Sequence, residues 1–280
     1  MALTLEYYMP RMDLRDHVRA YYYFSTDNPS IQPIFAEMGN IRVVLNGGGV
    51  LHTPTGAKQR FSTAYLIGPT MGAYCMEAEA GTRVFGISVR PKGWLSLCGM
   101  SAEEASDQII DLTGFAGGLA RSTIDEIRNA RNIAEMARAA DRFFAELVAR
   151  RTSLRTSPYP QAMAHWLLHP HDLELDELLE MMDVSRRQTD RIAKLHFGAS
   201  PKYLQRKYRA LRAADRIRAG ETDWMTAAGG GFYDQSHFIK EFKTFVGVTP
   251  GQYMDNQAPL IAEIQTQRRT QALLLPLASF

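Results

Sequence analysis

Two short polar segments of the chain carry side chains that are able to recognise the edges of DNA bases. The first presents Arg186, Arg187, Asp190 and Arg191, and the second presents Gln235, Ser236, His237 and Lys240. A guanidinium group can bind the O6 and N7 atoms of guanine, and a carboxylate can accept a hydrogen bond from the amino group of cytosine. This chemistry requires elements that present these side chains to solvent.

The two segments belong to a pattern that occurs twice with a spacing of 49 residues. Each copy opens with a residue able to cap a helix, has a glycine 13 residues later and a proline three residues after the glycine. The matching pairs are Ser185 and Asp234, Lys194 and Lys243, Gly198 and Gly247, Ser200 and Thr249, and Pro201 and Pro250. A fixed internal period indicates one supersecondary unit that is used twice.

Each copy has the pattern of a helix-turn-helix. In the first copy, apolar residues at helical spacing form one face of a first helix, and Ser185 can cap a second helix. In the second copy, Gly231 makes the turn and Asp234 caps the helix that follows. The sequence therefore predicts two recognition helices, over residues 185–197 and 234–245.

A basic helix is predicted between the two copies. Ser200 can serve as its N-cap, Pro201 fits its first position, and Gly220 ends it. Its residues, at about 1.5 Å each, give a rod of roughly 30 Å, close to the roughly 34 Å of one turn of B-DNA. The cations beside its apolar stripe are Lys202, Arg206, Lys207, Arg209, Arg212, Arg216 and Arg218. We expect this helix to contact DNA phosphates between the two recognition helices.

The second copy closely resembles the signature of AraC/XylS-type transcription regulators. The resemblance rests on the run Gly231-Phe232-Tyr233-Asp234-Gln235-Ser236-His237-Phe238, followed by Phe242-Lys243 and by Gly247-Val248-Thr249-Pro250. It extends from residue 158 to residue 255, and it implies a DNA-binding domain of two helix-turn-helix units joined by a long helix. Thr189 and Ala193 depart from the family pattern, because they occupy places where the family usually has larger apolar residues.

The resemblance also implies roles for individual side chains. The predicted base-facing residues are Arg187, Asp190, Arg191, Gln235, Ser236, His237 and Lys240, and the predicted phosphate contacts are Ser185, Arg186, Lys194, Lys202 and Lys243. Three alternatives stay open. The arginines could form a solvated charged face, Asp190 could pair with a neighbouring cation, and His237 could have a structural role.

Residues 3–89 have the pattern of a β domain. Short β-prone runs, such as residues 84–89, alternate with turn residues, which favours a sandwich or a small barrel. The run 41–46, followed by Gly68-Pro69, resembles the cupin-like sensor domain that AraC-type regulators often carry. This second resemblance is weaker than the first, and it implies a ligand-sensing or dimerisation role for the N-terminal part.

The period becomes helical between residues 92 and 151. An apolar stripe over residues 133–147 either packs on the barrel or forms a dimer interface. The predicted fold class is α+β, with an N-terminal cupin-like barrel or sandwich, its flanking helices, and an all-α C-terminal domain. The predicted domains are 1–150 for sensing or dimerisation, 151–160 as a linker, 161–255 for DNA binding and 256–280 as a tail.

Aromatic residues of the β domain suggest a pocket for a small effector inside the barrel. The residues predicted to line it are Tyr22, Phe24, Phe35 and Tyr65. The residues that could form a metal site are His17, Glu37, His52 and Cys75, but they lack the close His-x-His spacing of cupin metal sites. His237 has no second ligand at metal-binding spacing either. We therefore expect no metal, no cofactor and no catalytic residue.

Charge is distributed unevenly along the chain. Residues 185–243 hold 13 Lys and Arg against 6 Asp and Glu, whereas residues 1–150 hold 15 against 16. A local basic patch in a chain with a formal net charge of +2 is typical of nucleic-acid binding. The two cysteines argue against a disulfide scaffold, and neither a signal peptide nor a long apolar run is visible. We expect a soluble, cytoplasmic protein that associates with the nucleoid.

These observations favour a sequence-specific DNA-binding transcription regulator that responds to a ligand through its N-terminal domain. Its expected partners are double-stranded DNA and a small-molecule effector, with RNA polymerase and a second copy of the chain left open. Two other hypotheses remain, namely a cupin-type enzyme with an appended helix-turn-helix domain and a non-specific architectural DNA-binding protein. Metal content would identify the first, and DNA binding that depends on salt but not on sequence would identify the second.

Overall fold

The computed structural model describes residues 3–112, 117–150, 158–169 and 173–255, together with residues 260 and 263. A β-rich N-terminal part precedes a helical C-terminal part, so the predicted α+β fold class is confirmed. Most of the predicted linker and of the predicted tail lies outside the described residues. Across the described ranges, no helix is both long enough and apolar enough to cross a membrane.

The described strands form two antiparallel sheets. The strands are β1 (Leu3–Tyr8), β2 (Val18–Thr26), β3 (Ser30–Ile34), β4 (Asn40–Asn46), β5 (Gly49–His52), β6 (Lys58–Arg60), β7 (Ala64–Ile67), β8 (Tyr74–Ala78), β9 (Thr82–Val89) and β10 (Ile109–Asp111). One sheet has the order β1-β2-β9-β4-β7-β10, and the other has the order β3-β8-β5-β6. Side chains of both sheets, including Leu5, Phe24 and Met76, form the apolar interior of a barrel.

The central strand β4 is buried on both of its faces. Successive side chains of a strand alternate between the faces of a sheet. Arg42 and Val44 therefore point into the barrel, whereas Ile41 and Val43 face the helices outside it. A strand buried on both faces favours a nearly continuous apolar run, which is why residues 41–45 are recognisable in the sequence.

Helices cover the outer face of the six-stranded sheet and form the C-terminal part. They are α1 (Pro91–Cys98), α2 (Ala102–Ala105), α3 (Gly117–Asn129), α4 (Ile133–Arg150), α5 (Tyr159–Leu168), α6 (Leu175–Met182), α7 (Arg186–Phe197), α8 (Pro201–Arg218), α9 (Trp224–Ala228), α10 (Gln235–Val246) and α11 (Pro250–Met254). α4 buries Met136, Ala140 and Phe144, and Tyr21 of β2 donates a hydrogen bond to Asp141 at 2.7 Å. The stripe over residues 133–147 therefore packs on the barrel.

Helix α8 lies at the centre of the C-terminal part. Ser200 caps it, Pro201 occupies its first position, and Gly220 follows its end with a φ of 109°. Leu204 and Leu211 belong to its buried stripe, which packs against α7, α9, α10 and α11. Both helix-turn-helix units are thus attached to one rod.

The two recognition helices have equivalent beginnings and ends. Ser185 and Asp234 each accept a hydrogen bond from the backbone N–H three residues later, at 3.3 and 2.7 Å. α7 and α10 end at Gly198 and Gly247, whose φ values of 89° and 94° lie in the left-handed region that favours glycine. The repeat in the sequence is therefore also a repeat in the structure.

Candidate nucleic-acid interface

The N-terminal half of α7 carries the first predicted recognition set. The exposed side chains are those of Ser185, Arg186, Arg187, Gln188 and Arg191. Arg187, Asp190 and Arg191 share one face because they are three and four residues apart. Thr189 and Ala193 are buried on the other side of the helix. The helix therefore turns the predicted base-facing residues away from its own core.

An acidic side chain of the N-terminal part lies beside this recognition set. Lys194 Nζ is 3.0 Å from Oε1 of Glu103, which belongs to α2, and 3.8 Å from Oδ2 of Asp190. The hydrogen bond that Lys194 donates to Glu103, together with the negative charge of that carboxylate, raises the pKa of Lys194. Ser101 and Glu103 border a polar cleft whose other wall is α7. Asp190 thus has a neighbouring cation, as in the hypothesis that it forms an ion pair. Lys194 is bound to a carboxylate of the N-terminal part.

Helix α10 presents the second recognition set. Its exposed side chains include those of Gln235, Ser236, Lys240 and Lys243. His237 is half-buried, and its Nδ1 atom accepts a hydrogen bond from the backbone N–H of Tyr233 at 3.2 Å. Its ring also packs edge-on against Phe232, with ring centroids 5.8 Å apart. His237 therefore helps to fix the turn before α10, and its base contact stays a prediction.

Tyr233 is a surface residue that was not among the residues predicted from the sequence to contact DNA. Its side chain is 94% exposed and stands directly before the N-cap Asp234. Tyrosine hydroxyl groups are among the side-chain groups that bind DNA phosphates. An aromatic residue at the tip of a turn, next to a helix cap, is the sequence signal that could have identified it.

The cations of α8 differ from the expectation, because most of them bind groups within the protein. Arg206 donates two hydrogen bonds to the buried carboxylate of Glu241, at 2.9 and 2.7 Å. Arg216 donates to the carbonyl oxygens of Ala227 and Ala228, at 2.7 and 2.8 Å. A guanidinium group has five N–H donors, so it can satisfy the carbonyl groups left at the end of a helix such as α9.

Two further arginines of α8 act in the same way. Arg209 donates to the carbonyl oxygen of Gly231, and Arg212 donates to that of Leu167. Lys202 is exposed, so its phosphate contact stays a prediction. The expectation that α8 presents a row of phosphate-binding cations was wrong for these four arginines. Three of them bind the second helix-turn-helix unit, and Arg212 binds the last turn of α5.

Lys207 projects from α8 into the N-terminal part and is fully buried. Its Nζ atom donates to the carbonyl oxygens of Glu37 and Thr70, both at 2.9 Å. Burial lowers the pKa of Lys207 to about 7. Tyr203, one turn earlier, donates through its hydroxyl group to the carbonyl oxygen of Met71. Helix α8 is therefore bonded directly to two loops at the edge of the barrel.

The C-terminal end of α10 also contacts the N-terminal part. The carbonyl oxygen of Phe245 accepts a hydrogen bond from the backbone N–H of Ala36 at 2.7 Å, and that of Thr244 accepts one from Ala73 at 2.8 Å. These two bonds join loops of the barrel to the C-terminal end of α10. The position of α10 is thus fixed by the N-terminal part as well as by α8.

The C-terminal end of α7 makes equivalent contacts with a different part of the barrel domain. The carbonyl oxygen of Gly198 accepts a hydrogen bond from Ser106 Oγ at 3.2 Å. His196 is buried, with Nδ1 3.1 Å from the carbonyl oxygen of Pro91, the first residue of α1. Both recognition helices are therefore held at their C-terminal ends, and their N-terminal halves remain exposed.

A small cavity of about 50 Å³ lies inside the barrel. Of the predicted pocket residues, Tyr22, Phe24 and Phe35 border the cavity, whereas Tyr65 packs in the same core without bordering it. Leu260 is buried and closes one side of the cavity. Its backbone N–H donates a hydrogen bond to the side-chain oxygen of Gln32 at 3.3 Å. A residue that follows the DNA-binding helices thus contributes to the barrel interior.

Arg42 and Glu37 form a buried polar network at the edge of this cavity. Arg42 donates to the hydroxyl oxygens of Tyr22 and Tyr74, at 2.8 and 2.6 Å, and lies 3.3 Å from Oε1 of Glu37. Tyr74 donates to the same carboxylate oxygen at 2.6 Å. Burial raises the pKa of both tyrosines, so they remain protonated. Arg42 is thus a buried cation at the edge of the cavity, where a ligand could bind it, and the carboxylate of Glu37 neutralises its charge.

The residues considered for a metal site make separate contacts. Glu37 is bound to Arg42, and His52 Nε2 lies 2.7 Å from Oε1 of Glu77. His17 Nδ1 lies 3.4 Å from Ser96 Oγ. In the part of the chain that the structure describes, no three His, Cys, Asp or Glu side chains are grouped to hold a metal ion.

Two sequence families match parts of the chain. Residues 178–256 match a family described as a helix-turn-helix domain. Residues 6–111 match a family described as a domain of unknown function, DUF6597. No curated protein matches the chain. The helix-turn-helix match covers both recognition helices.

Solved structures of two kinds resemble parts of this fold. An apo variant of ToxT from Vibrio cholerae strain SCE256 has 13% sequence identity and a TM-score of 0.48, over 84% of this chain and 96% of that chain. Wild-type ToxT from the same strain, bound to an unsaturated fatty acid, has 12% identity and a TM-score of 0.46, over 83% and 93%. An RmlC-like cupin protein from Desulfovibrio desulfuricans has 15% identity and a TM-score of 0.25, over 30% and 79%.

The helix-turn-helix match and the two exposed recognition helices define a DNA-binding transcription regulator. The sheet-rich N-terminal part has the two antiparallel sheets that a sandwich or small barrel, as predicted from the sequence, requires. Residues 178–256 of the C-terminal part match a helix-turn-helix domain, and the run that resembles the signature of AraC/XylS-type regulators lies inside this range.

Proposed function

We propose that the protein is a ligand-responsive transcription regulator that recognises a specific DNA sequence. Helices α7 and α10 enter successive major grooves, and their exposed N-terminal halves carry the base contacts. One observation carries this proposal, namely the duplication of a capped helix whose outward side chains are polar or cationic while its inward side chains are buried. A helix with these properties is what major-groove recognition requires.

The roles of individual side chains follow the prediction from the sequence. Base contacts come from Arg187, Asp190, Arg191, Gln235, Ser236, His237 and Lys240, and phosphate contacts come from Ser185, Arg186, Lys194, Lys202 and Lys243. We add Tyr233 to the phosphate contacts because its hydroxyl group is exposed beside the N-terminus of α10. Lys194 can bind phosphate only after it leaves Glu103, so DNA binding by the first unit depends on the N-terminal part.

Glu37 supports a response to a ligand in the barrel. Its carbonyl oxygen accepts a hydrogen bond from Lys207 of α8, and its carboxylate binds Arg42 at the cavity. A ligand with an anionic group competes with the Glu37 carboxylate for Arg42. Displacement of this carboxylate moves residue 37 and thereby changes the contact with Lys207. The same residue thus connects the cavity to the helix that supports both recognition helices.

The proposal assigns no catalytic reaction to the N-terminal part. The polar groups at the barrel cavity serve the contact with α8, and the metal content of the purified protein tests the cupin-enzyme alternative. A second copy of the chain and RNA polymerase are proposed partners, to be tested by sedimentation of the protein–DNA complex and by co-purification. A cytoplasmic location at the nucleoid follows from binding to genomic DNA.

Selection from random oligonucleotides with the full chain tests the proposed function. We expect an enriched site with two short motifs whose centres are about 10 base pairs apart, because successive major grooves on one side of DNA are one turn apart. The variant with both Arg191→Ala and Lys240→Ala is the control, and it should lose the enrichment while keeping its circular dichroism spectrum. Binding that decreases with salt without any enriched sequence would identify an architectural protein instead.

A further inference from the structure

A second and larger cavity lies outside the barrel, between the six-stranded sheet and helices α3 and α4. Its volume is about 280 Å³, against about 50 Å³ for the cavity inside the barrel. Ile41, Leu66 and Ile87 belong to its floor, and Ala120 of α3 and Ala140 of α4 belong to its roof. Protein interiors are packed as densely as organic crystals, and voids larger than a water molecule are few. A space of this size between a sheet and its covering helices is therefore suited to a guest molecule.

Apolar side chains form most of the walls of this outer cavity. Thr123 is a polar residue of the roof, but its hydroxyl group donates a hydrogen bond to the carbonyl oxygen of Leu119 at 2.9 Å. The exposed guanidinium group of Arg150 borders the cavity and is paired with Glu146. A buried water molecule needs two to four polar partners. The outer cavity therefore favours an apolar guest over water.

We propose that the outer cavity is a binding site for a small apolar molecule with an aromatic or aliphatic skeleton. An apolar cavity of about 150 Å³ in another protein stays dry and accepts benzene. The outer cavity has about twice that volume, so it fits a skeleton of roughly ten carbon atoms, such as two fused aromatic rings. Phe143 and Phe144 border it with their rings in an edge-on arrangement, which suits contact with an aromatic guest.

Helix α1 connects the outer cavity to the first recognition helix. Leu97 and Cys98, at its C-terminal end, border the cavity. Pro91, at its N-terminal end, lies with its carbonyl oxygen 3.1 Å from Nδ1 of His196 in α7. A guest in the cavity therefore acts on the position of α1 and, through it, on α7. This regulatory effect rests on the proposed function, whereas the binding site itself does not.

Calorimetric titration of the full chain with naphthalene tests the binding site. The wild-type protein should bind naphthalene saturably. Ala120→Phe and Ala140→Leu place new carbon atoms in the cavity, and each should weaken binding at least about tenfold, the effect that even a single methylene has in a tight apolar pocket. The matched control is Val84→Leu, which fills space in the barrel cavity and should keep the wild-type affinity.

Several outcomes would overturn this proposal. One is the absence of saturable binding to the wild-type protein, and another is wild-type affinity in a folded Ala120→Phe or Ala140→Leu variant. A loss of affinity in Val84→Leu alone would locate the guest in the barrel and would also contradict the proposal. Circular dichroism establishes which variants are folded, and Ala140→Leu is the smaller change if Ala120→Phe unfolds. A protein that binds naphthalene but no DNA would contradict the proposed function and leave the site standing.

Discussion

The two helix-turn-helix units have the same caps and helix ends, but different contacts stabilise them. Positions 49 residues apart are equivalent, so Thr189 corresponds to Phe238, and Ala193 corresponds to Phe242. Phe238 is fully buried, and its ring centroid lies 5.1 Å from that of Phe232 and 5.6 Å from that of Phe242. The first unit has small side chains at both positions, and α7 packs instead on α1 and α2. The second unit has an aromatic core of its own, whereas α7 of the first unit packs on the neighbouring domain as well as on α5, α6 and α8.

The difference extends to the surfaces that would face DNA. In the first unit, Lys194 is bound to Glu103 of the N-terminal part. In the second unit, Lys240 and the equivalent of Lys194, Lys243, are exposed. Changes in the N-terminal part should therefore affect DNA binding by the first unit more than binding by the second. The two copies of the module can thus differ in how strongly the N-terminal part controls their binding to DNA.

The largest expected effect concerns the two cores. Phe238→Ala should lower the free energy of unfolding of the C-terminal part by about 3–5 kcal/mol, because it removes a fully buried ring and leaves a cavity. The equivalent change Thr189→Ala should lower it by only about 1 kcal/mol, because it removes one hydrogen bond to the carbonyl oxygen of Ser185. Urea unfolding followed by circular dichroism measures both values. Equal losses would show that the cores do not differ as described.

The next effect concerns Arg191 and the equivalent Lys240. Arg191→Ala should weaken binding to the selected operator by about 1–3 kcal/mol and relax the preference at one base pair, because a guanidinium group can bind guanine through two hydrogen bonds. Lys240→Ala should cost less, because an ammonium group lacks this paired geometry. Fluorescence anisotropy with the operator and with single-base variants of it measures both effects. Unchanged affinity in Arg191→Ala would remove that residue from the recognition set.

The two C-cap glycines should respond differently to alanine. Both have positive φ values, so alanine should cost about 1–2 kcal/mol at either position. The loss should be greater at Gly198, where the added Cβ atom would lie 2.4 Å from Ser106 Oγ, than at Gly247, where it would lie 3.1 Å from Ala73 Cβ. Thermal unfolding of the two variants measures the difference. A larger loss at Gly247 would contradict the closer docking of the first unit.

The smallest expected effect is a gain of DNA affinity. Glu103→Gln removes the charge that holds Lys194, and it should strengthen operator binding by less than about fivefold, because both side chains are largely exposed. The gain should disappear at high salt, which screens exposed charges. Glu104→Gln is the matched control, because Glu104 has the same charge in the same helix. Its carboxylate accepts a hydrogen bond from the backbone N–H of Ser101 instead of binding Lys194. An equal gain in both variants would indicate a general effect of net charge.

The ends of the recognition helices could be predicted from the sequence because helix caps are local. Ser185 and Asp234 bind backbone groups three residues away, so a short stretch of sequence contains both partners. The role of the cations in α8 could not be predicted in this way. Lys207 binds the carbonyl oxygen of Glu37, 170 residues away, and the same donor groups would suit a phosphate equally well. The choice depends on which acceptors the folded chain brings within reach.

The cavity inside the barrel and the outer cavity also differ in how far the sequence could predict them. Tyr22 and Phe24 share one face of β2 because they are two residues apart. The four aromatic residues 21–24 do not tell which face lies inside the barrel, so the structure decides it. Tyr65 belongs to β7, whose residues are all buried, so the sequence does not tell which face its ring occupies. The outer cavity had no sequence signal, because its volume depends on how side chains from the sheet, α1, α3 and α4 fit together. Patterns along the chain indicate faces of elements, and they do not indicate the space left between them.

Leu260 and Gln32 are separated by 228 positions, although a hydrogen bond joins them. When a ribosome synthesises the chain, the barrel strands emerge long before Leu260, which borders one side of their interior. A fragment that stops at residue 150 would therefore enclose a wider chamber than the complete molecule does. Compound screens on such a fragment would select molecules that fill the place of a leucine, and these could fail to bind the whole protein.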